Sequence, residues 1–215
     1  MLRVTLDHNA APAGGAIYNE GAVSLDTSTL SDNAAGSGAA IYQAGTGLAV
    51  RYSTIADNHA ADGSAIALDQ GQGPNTFFTG AIVAGGGCAG DTVQSAGNNL
   101  EDGNTCGFDQ GSDRPDTNPQ LQALSGNGGL TPTRMPAPNS AAVDNGGMAC
   151  TTPDQRGETR PLGNACDIGA VEAVVLPAIC GAVIEAVADT TVSSDNPDGG
   201  QGDSLTLRVA KVGGL

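Results

Sequence analysis

Two consecutive copies of one pattern decide the fold: GGAIYNEGAVSLDTSTLSDN at 14–33 and GAAIYQAGTGLAVRYSTIADN at 38–58. Each copy has Ala-Ile-Tyr, a Gly-containing turn, an alternating apolar run and a Ser-Thr-Leu/Ile-x-Asp-Asn ending. The interval is 24 residues from Asn9, which ends an earlier partial copy, to Asn33, and 25 residues from Asn33 to Asn58. A fixed period of this length indicates a solenoid built from one supersecondary unit per repeat.

The repeats predict short strands rather than helices, because apolar residues alternate and Gly recurs every few residues. We therefore expect an all-β fold, a single-stranded parallel β-helix of the pectate-lyase-like kind, with coils of about 24–25 residues. Equivalent residues of successive coils would lie about 4.8 Å apart. The predicted apolar columns are Ile17, Ile41 and Ile66; Leu6, Leu30 and Ile55, continued by Ile82; Val23 and Leu48; and Leu25 and Val50.

Asn9, Asn33 and Asn58 form the most informative polar column. Asn tolerates left-handed backbone geometry at a tight turn. Stacked Asn amides also donate to and accept from one another along a ladder. We expect these three residues to be structural.

The neighbouring column of His8, Asp32 and Asp57 is where a catalytic site would lie. Two carboxylates one coil apart approach the separation that retaining glycosidases use. Asp before Asn at a turn is also ordinary turn chemistry. Asp32 and Asp57 are therefore the alternative, catalytic assignment, and a structural role is the preferred one.

Composition excludes several function classes. The net charge is −15, and Arg51 is the only Lys or Arg between Val4 and Arg114. Nucleic-acid binding needs a basic surface that releases counterions, so we expect no nucleic-acid partner. The best apolar run, residues 173–184, contains Pro177 and is too short to span a bilayer, so we expect no membrane insertion.

Five cysteines are present, and none forms a C-x-x-C pair, so a zinc site is not expected. Their wide spacing suits two disulfides in an oxidising compartment. The sequence leaves the pairing open; we expect Cys88–Cys106 and Cys150–Cys166, because each pair closes a Gly/Asp-rich loop, with Cys180 left over. The expected location is secreted or cell-surface. Because the chain starts inside a repeat, we expect any export signal and upstream coils to lie outside this sequence.

Asp154, Arg156, Arg160, Asp167 and Glu172 form a charged cluster among Gly and Pro residues. Two arginines and three acids can interlock through charge-assisted hydrogen bonds. Such a lock would close the open end of the stack, whose unpaired strand edges invite aggregation. A substrate-binding arginine pair is the alternative.

The same part of the chain carries a family resemblance. Its motifs are NPQL at 118–121, NGGLTPT at 127–133, PNSAAVD at 138–144, DQRG at 154–157, RP at 160–161 and CDIGAVE at 166–172. Residues 117–172 resemble the C-terminal part of the choice-of-anchor Q domain of bacterial surface and secreted proteins. PNSAAVD departs from the Gly-Ser-Pro-Ala-Ile-Asp that is usual there. The repeats resemble those of polymorphic outer-membrane proteins. The resemblance implies a right-handed parallel β-helix exported to the cell surface, with no established catalytic activity.

The expected domain organisation is a β-helix over 1–172, with coils at 1–87 and disulfide-stapled coils and a closing segment at 88–172. Residues 173–215 read as a linker and the start of a second, truncated β module. Asp195, Asp198 and Asp203 lie in an acidic Gly-rich loop there, one residue short of the tandem calcium-binding nonapeptide. A single imperfect copy makes calcium the weaker alternative; no cofactor is the preferred expectation.

Two functions from different classes remain. The first is a non-catalytic secreted or cell-surface β-helix with a structural, adhesive or interaction role, expected to be a monomer that contacts an extracellular glycan or a surface protein. The second is a carbohydrate-active β-helix, a polysaccharide lyase or glycoside hydrolase acting on extracellular glycans. Such enzymes need clustered carboxylates and a basic residue over a groove. The small turns of these repeats favour the first.

Overall fold

The computed structural model describes residues 1–150 and 153–173, which belong to one compact unit. Its regular elements are almost entirely short strands, joined by turns, with one turn of 3-10 helix at Gly73–Asn75. The strands are β1 (Thr5–Asp7), β2 (Ala10–Ala13), β3 (Ile17–Asn19), β4 (Ala22–Asp26), β5 (Thr29–Ser31), β6 (Ala34–Ser37), β7 (Ile41–Gln43), β8 (Gly47–Arg51), β9 (Thr54–Ala56), β10 (His59–Ala60), β11 (Ser64–Leu68), β12 (Thr76–Thr79), β13 (Ile82–Ala84), β14 (Gly87–Gly90), β15 (Gln94–Ser95) and β16 (Leu100–Glu101).

The strands form four parallel sheets that the chain visits in turn. Sheet A has the order β1-β5-β9-β13-β16, sheet B has β2-β6-β10, sheet C has β3-β7-β11-β14 and sheet D has β4-β8-β12-β15. One coil therefore takes one strand from each sheet before the chain returns to sheet A. The fold is a right-handed parallel β-helix, which confirms the predicted fold class.

The register confirms most of the predicted columns. Ile41 pairs with Ile17 on one side and with Ile66 on the other, and Leu30 pairs with Leu6 and Ile55 in the same way. The alternating residues of β4 and β8 also pair as predicted. These side chains form a buried cluster in the interior of the coils, where burial of each aliphatic side chain contributes about 1.5–3 kcal/mol.

One predicted column member is wrong by one residue. Val83, and not Ile82, pairs with Ile55, while Ile82 pairs with Thr54. The third coil is longer than its predecessors, because it includes the 3-10 turn, so counting along the repeat reaches the neighbouring residue. Since side chains alternate across a strand, this shift places Ile82 on the opposite face of sheet A. There it packs in a second apolar cluster with Leu100 and Ile168.

The predicted period of about 24–25 residues holds only for the first coils. Ile82 pairs with Leu100, an interval of 18 residues. The chain passes from β13 to β14 through Gly85 and Gly86, whose positive φ angles of 70° and 141° allow a direct turn that omits sheet B. The Cys88–Cys106 disulfide spans the same interval of 18 residues. Both predicted disulfides, Cys88–Cys106 and Cys150–Cys166, are present.

Residues 117–173, apart from the two undescribed ones, form what we call the covering segment. It contains little regular structure and folds back over the outer face of sheet A. Gln155 bonds to Thr5 and Thr29 in the first two coils, and the backbone N–H of Ala170 donates to Oγ1 of Thr54 in the third. The prediction that this segment closes the open end of the stack is therefore wrong: it runs along the flank. The second apolar cluster fills the space between it and the sheet.

The predicted second module at 173–215 lies outside the described residues except for Ala173. The same is true of Cys180 and of the alternative calcium ligands Asp195, Asp198 and Asp203.

Candidate functional site

The asparagine column forms a continuous hydrogen-bonded ladder. Oδ1 of Asn33 accepts from both N–H groups of Asn9, at 3.0 and 2.9 Å, and Oδ1 of Asn58 accepts from Asn33 at 3.1 and 2.8 Å. Nδ2 of Asn33 also donates to the carbonyl of Leu6. Asn33 and Asn58 are buried. These amides satisfy one another and the backbone, so this geometry supports the structural role proposed for them.

The left-handed residue of each turn is the one before the asparagine, which corrects the expectation for Asn. His8, Asp32 and Asp57 have φ angles of 56°, 57° and 54°. Asn and Asp adopt this region more readily than other residues with a Cβ. The asparagine that follows stays out of it, and its side chain bonds to the next coil.

Arg134 joins the two candidate catalytic carboxylates. Its Nη2 lies 2.9 Å from Oδ2 of Asp32, and its Nη1 lies 2.6 Å from Oδ2 of Asp57. Its Nε donates to Oγ of Ser31 at 2.6 Å. The Arg134 side chain is only 8% exposed. One guanidinium from the covering segment therefore spans two coils and neutralises part of the charge of both aspartates.

The protonation of Asp32 follows from these contacts. Burial raises the pKa of its carboxyl group, but hydrogen bonds from Ser31 and Arg134 outweigh burial and hold the pKa below its ordinary value. A retaining glycosidase needs one carboxylic acid that keeps its proton near neutral pH. An arginine shared between both carboxylates favours the ionised form of each. The pair is thus built for ion pairing and not for acid catalysis.

A groove of about 400 Å³ lies beside this ion pair, between the turn that follows sheet A and the covering segment. Its lining combines charged or amide side chains with small apolar ones. The lining residues are Ala56, Asp57, Ala84, Gly85, Asp102, Asn118, Pro119, Leu121 and Arg134. Sequence reasoning identified only Asp57 among the polar members, because the others come from outside the repeats.

The charged cluster of the covering segment is assembled around Asp154, which is fully buried. Its carboxylate accepts hydrogen bonds from the backbone N–H groups of Arg156, Gly157, Glu158 and Glu172, at 2.8–3.0 Å. The guanidinium of Arg156 adds two more, at 3.0 and 2.8 Å. One carboxylate thus organises the turn at 154–158 and its junction with Glu172.

Arg160 forms the second half of the cluster. Its Nε lies 3.5 Å from Oε2 of Glu172, and its guanidinium donates to the carbonyl oxygens of Asp167 and Gly169. The same guanidinium packs 5.5 Å from the centre of the Tyr52 ring in the third coil. Arg160 is buried, and the Arg156 side chain is only 9% exposed. The substrate-binding alternative needs an accessible arginine pair, so the geometry favours the structural lock.

Asp167 gives the cluster a pH dependence. Burial raises the pKa of its carboxyl group from 3.8 to about 6, and the negative charge of Glu172 adds to this, against hydrogen bonds from the backbone N–H groups of Asp144 and Ala173 and the charge of Arg160. The folded state therefore binds this proton more tightly than the unfolded state. The resulting stability is fully present below about pH 4 and is lost as the pH rises through about 6.

We predict that Asp167→Asn removes this component. The free energy of unfolding of the parent protein, measured by urea denaturation from pH 3.5 to 7, should contain a decline between about pH 4 and 6 that the variant lacks. The difference curve between the two proteins isolates Asp167 from carboxylates such as Asp32, whose lowered pKa acts in the opposite direction. Parallel curves over this range would contradict the assignment.

Among the described residues, no group of three or more His, Cys, Asp or Glu side chains is arranged to hold a metal ion. No helix in that part of the chain is long and apolar enough to cross a membrane.

Comparison with profiles of known protein families, with curated proteins and with solved structures found no match to this chain. The resemblance to the choice-of-anchor Q domain therefore stays a prediction. The fold and the geometry described above are the basis for a functional proposal.

Proposed function

We propose that this chain is a non-catalytic, secreted or cell-surface β-helix protein with an interaction role. The single observation that carries the proposal is the Arg134 bridge. Asp32 and Asp57, the candidate catalytic pair of the repeats, both bind one buried guanidinium at 2.9 and 2.6 Å. Carboxylates held in this way stabilise the docking of the covering segment and are poorly placed to donate a proton.

The extracellular location rests on the two disulfides, which form and persist in oxidising compartments. The net charge of −15 favours solubility and opposes binding to nucleic acid or to anionic membrane surfaces. Relatedness of residues 117–172 to the choice-of-anchor Q domain of surface and secreted proteins belongs to the same proposal.

The groove beside Asp57 favours a second candidate, a carbohydrate-active β-helix. Asp57 is 48% exposed and lines the groove, and Arg134 supplies a basic residue next to it. These are the groups that glycan-cleaving sites combine, although here they are paired with each other.

A turnover assay separates the two candidates. Incubation of the protein with polygalacturonate and with neutral glycans, followed by measurement of new reducing ends and of unsaturated ends, should give no more product than heat-inactivated protein. Asp32→Ala and Asp57→Ala variants serve as matched controls. Clear turnover that either substitution abolishes would overturn the non-catalytic proposal.

A further inference from the structure

We infer that the groove beside Asp57 binds a neutral saccharide. The inference rests on the proposed interaction function and adds to it a site and a class of ligand. The groove volume, about 400 Å³, falls within the range of small-molecule sites, on the order of 300–1,000 Å³.

An interruption of the repeat opens this groove. Preceding coils carry the side chains of His8, Asp32 and Asp57 at the left-handed turn position, but the next coil has Gly85 there, with φ of 70°. A Cβ atom at Gly85 would lie 2.8 Å from Oδ1 of Asp57 and 3.0 Å from its backbone. The glycine therefore leaves the space in front of Asp57 clear, and the shortened coil brings Asp102 to its other side.

The groove has both unused acceptors and an unused donor. Oδ2 of Asp57 contacts Arg134, and Oδ2 of Asp102 accepts from the backbone N–H of Gly85. Within the described part of the chain, Oδ1 of each aspartate accepts no hydrogen bond. Asn118 accepts from the N–H of Gln120 through Oδ1, and its Nδ2 has no acceptor among the described residues.

This combination selects the ligand class. An anion would meet two carboxylates, while the guanidinium of Arg134 is already bound to Ser31 and two aspartates. An ammonium group would satisfy the carboxylates, but it could not accept from Nδ2 of Asn118. A hydroxyl group both donates and accepts, so a polyhydroxyl ligand uses all three free positions.

The remaining lining suits the carbon skeleton of a sugar. Ala56, Ala84, Pro119 and Leu121 present small apolar surfaces between the polar groups. Ligand sites commonly combine an apolar lining with a few convergent polar groups that fix orientation. The sugar C–H faces would pack on this lining while hydroxyls reach Asp57, Asp102 and Asn118.

The test uses the whole chain and a printed array of neutral gluco-, manno-, galacto- and xylo-oligosaccharides. Oligogalacturonates provide an anionic arm and chitosan oligomers a cationic arm. The tightest neutral binder is then titrated by calorimetry. We expect Asp102→Asn to weaken its affinity about tenfold or more, since a hydroxyl loses a charged acceptor. Asn118→Asp should weaken it similarly, because the donor is replaced by a carboxylate.

Asp109→Asn is the matched control, since it removes an equal charge at an exposed aspartate that does not line the groove; its affinity should equal that of the parent protein. Unchanged melting temperatures verify that the exposed Asp102 and Asn118 variants fold. The inference is overturned by no binding of neutral oligosaccharides, by binding confined to the charged arms, or by affinities that both groove variants leave intact. Those outcomes without turnover would leave the non-catalytic proposal standing, whereas turnover in the product assay would remove that proposal itself.

Discussion

Asp154→Ala is expected to lower the free energy of unfolding by about 4–5 kcal/mol, near the upper end for a single substitution. The buried carboxylate accepts four backbone hydrogen bonds and two from the guanidinium of Arg156. Its removal leaves the backbone donors without acceptors and the arginine without its partner. A buried donor that loses its acceptor costs about 1–3 kcal/mol, and breaking a buried ion pair costs about 3–5 kcal/mol; these costs overlap and are not additive.

Urea denaturation at pH 7 measures this effect. Asp62→Ala is the control, because Asp62 also accepts a backbone N–H, from Ser64 at 2.9 Å, but is exposed. We expect it to cost about 0.5–1.5 kcal/mol, the net value of an ordinary hydrogen bond. Arg156→Ala should resemble Asp154→Ala in direction, since it leaves the carboxylate buried and without its ion pair. A loss for Asp154→Ala no larger than that for Asp62→Ala would contradict the lock.

Arg134→Met is expected to lower the free energy of unfolding by about 2–4 kcal/mol. The substitution retains most of the apolar volume but leaves Asp32 and Asp57 one coil apart with no cation between them. Removal of one partner from a buried ion pair typically costs about 3–5 kcal/mol. The estimate here is lower because the aspartate side chains are 29% and 48% exposed, so water screens their charge in part.

The matched control for this prediction is Arg51→Met. Arg51 also pairs with an aspartate of the preceding coil, Asp26 at 3.6 Å, but its side chain is 49% exposed. Exposed ion pairs contribute about 0–1 kcal/mol. Equal and small losses for both variants in urea denaturation would show that the covering segment does not depend on Arg134.

The repeats encode their own register, and for this reason sequence reasoning succeeded there. Columns such as Ile17, Ile41 and Ile66 follow from alternation and period, and they determine the coil, the asparagine ladder and the strand order. The members of the charged cluster and the two disulfides were also found, since each set lies close together in the chain.

The groove and the Arg134 bridge have no comparable signal. Arg134 lies 102 residues from Asp32 in the chain, in a segment without periodicity. Nothing local distinguishes an arginine that docks on a sheet face from one that faces solvent. The direction of the covering segment depends on long-range packing of residues such as Ile168 on Ile82. The shortening of the coil at Gly85 was likewise missed, because extrapolation of a period assumes that the period continues.

The docking of the covering segment across two coils is the central structural claim, and a double-mutant cycle tests it most directly. Arg134→Met, Asp32→Asn and the double variant would be compared with the parent protein by urea denaturation. Because the two side chains are in direct contact at 2.9 Å, we predict a coupling energy of about 1–3 kcal/mol. Losses that add to within about 0.3–0.5 kcal/mol would contradict the claim, since residues without a shared contact behave in that way.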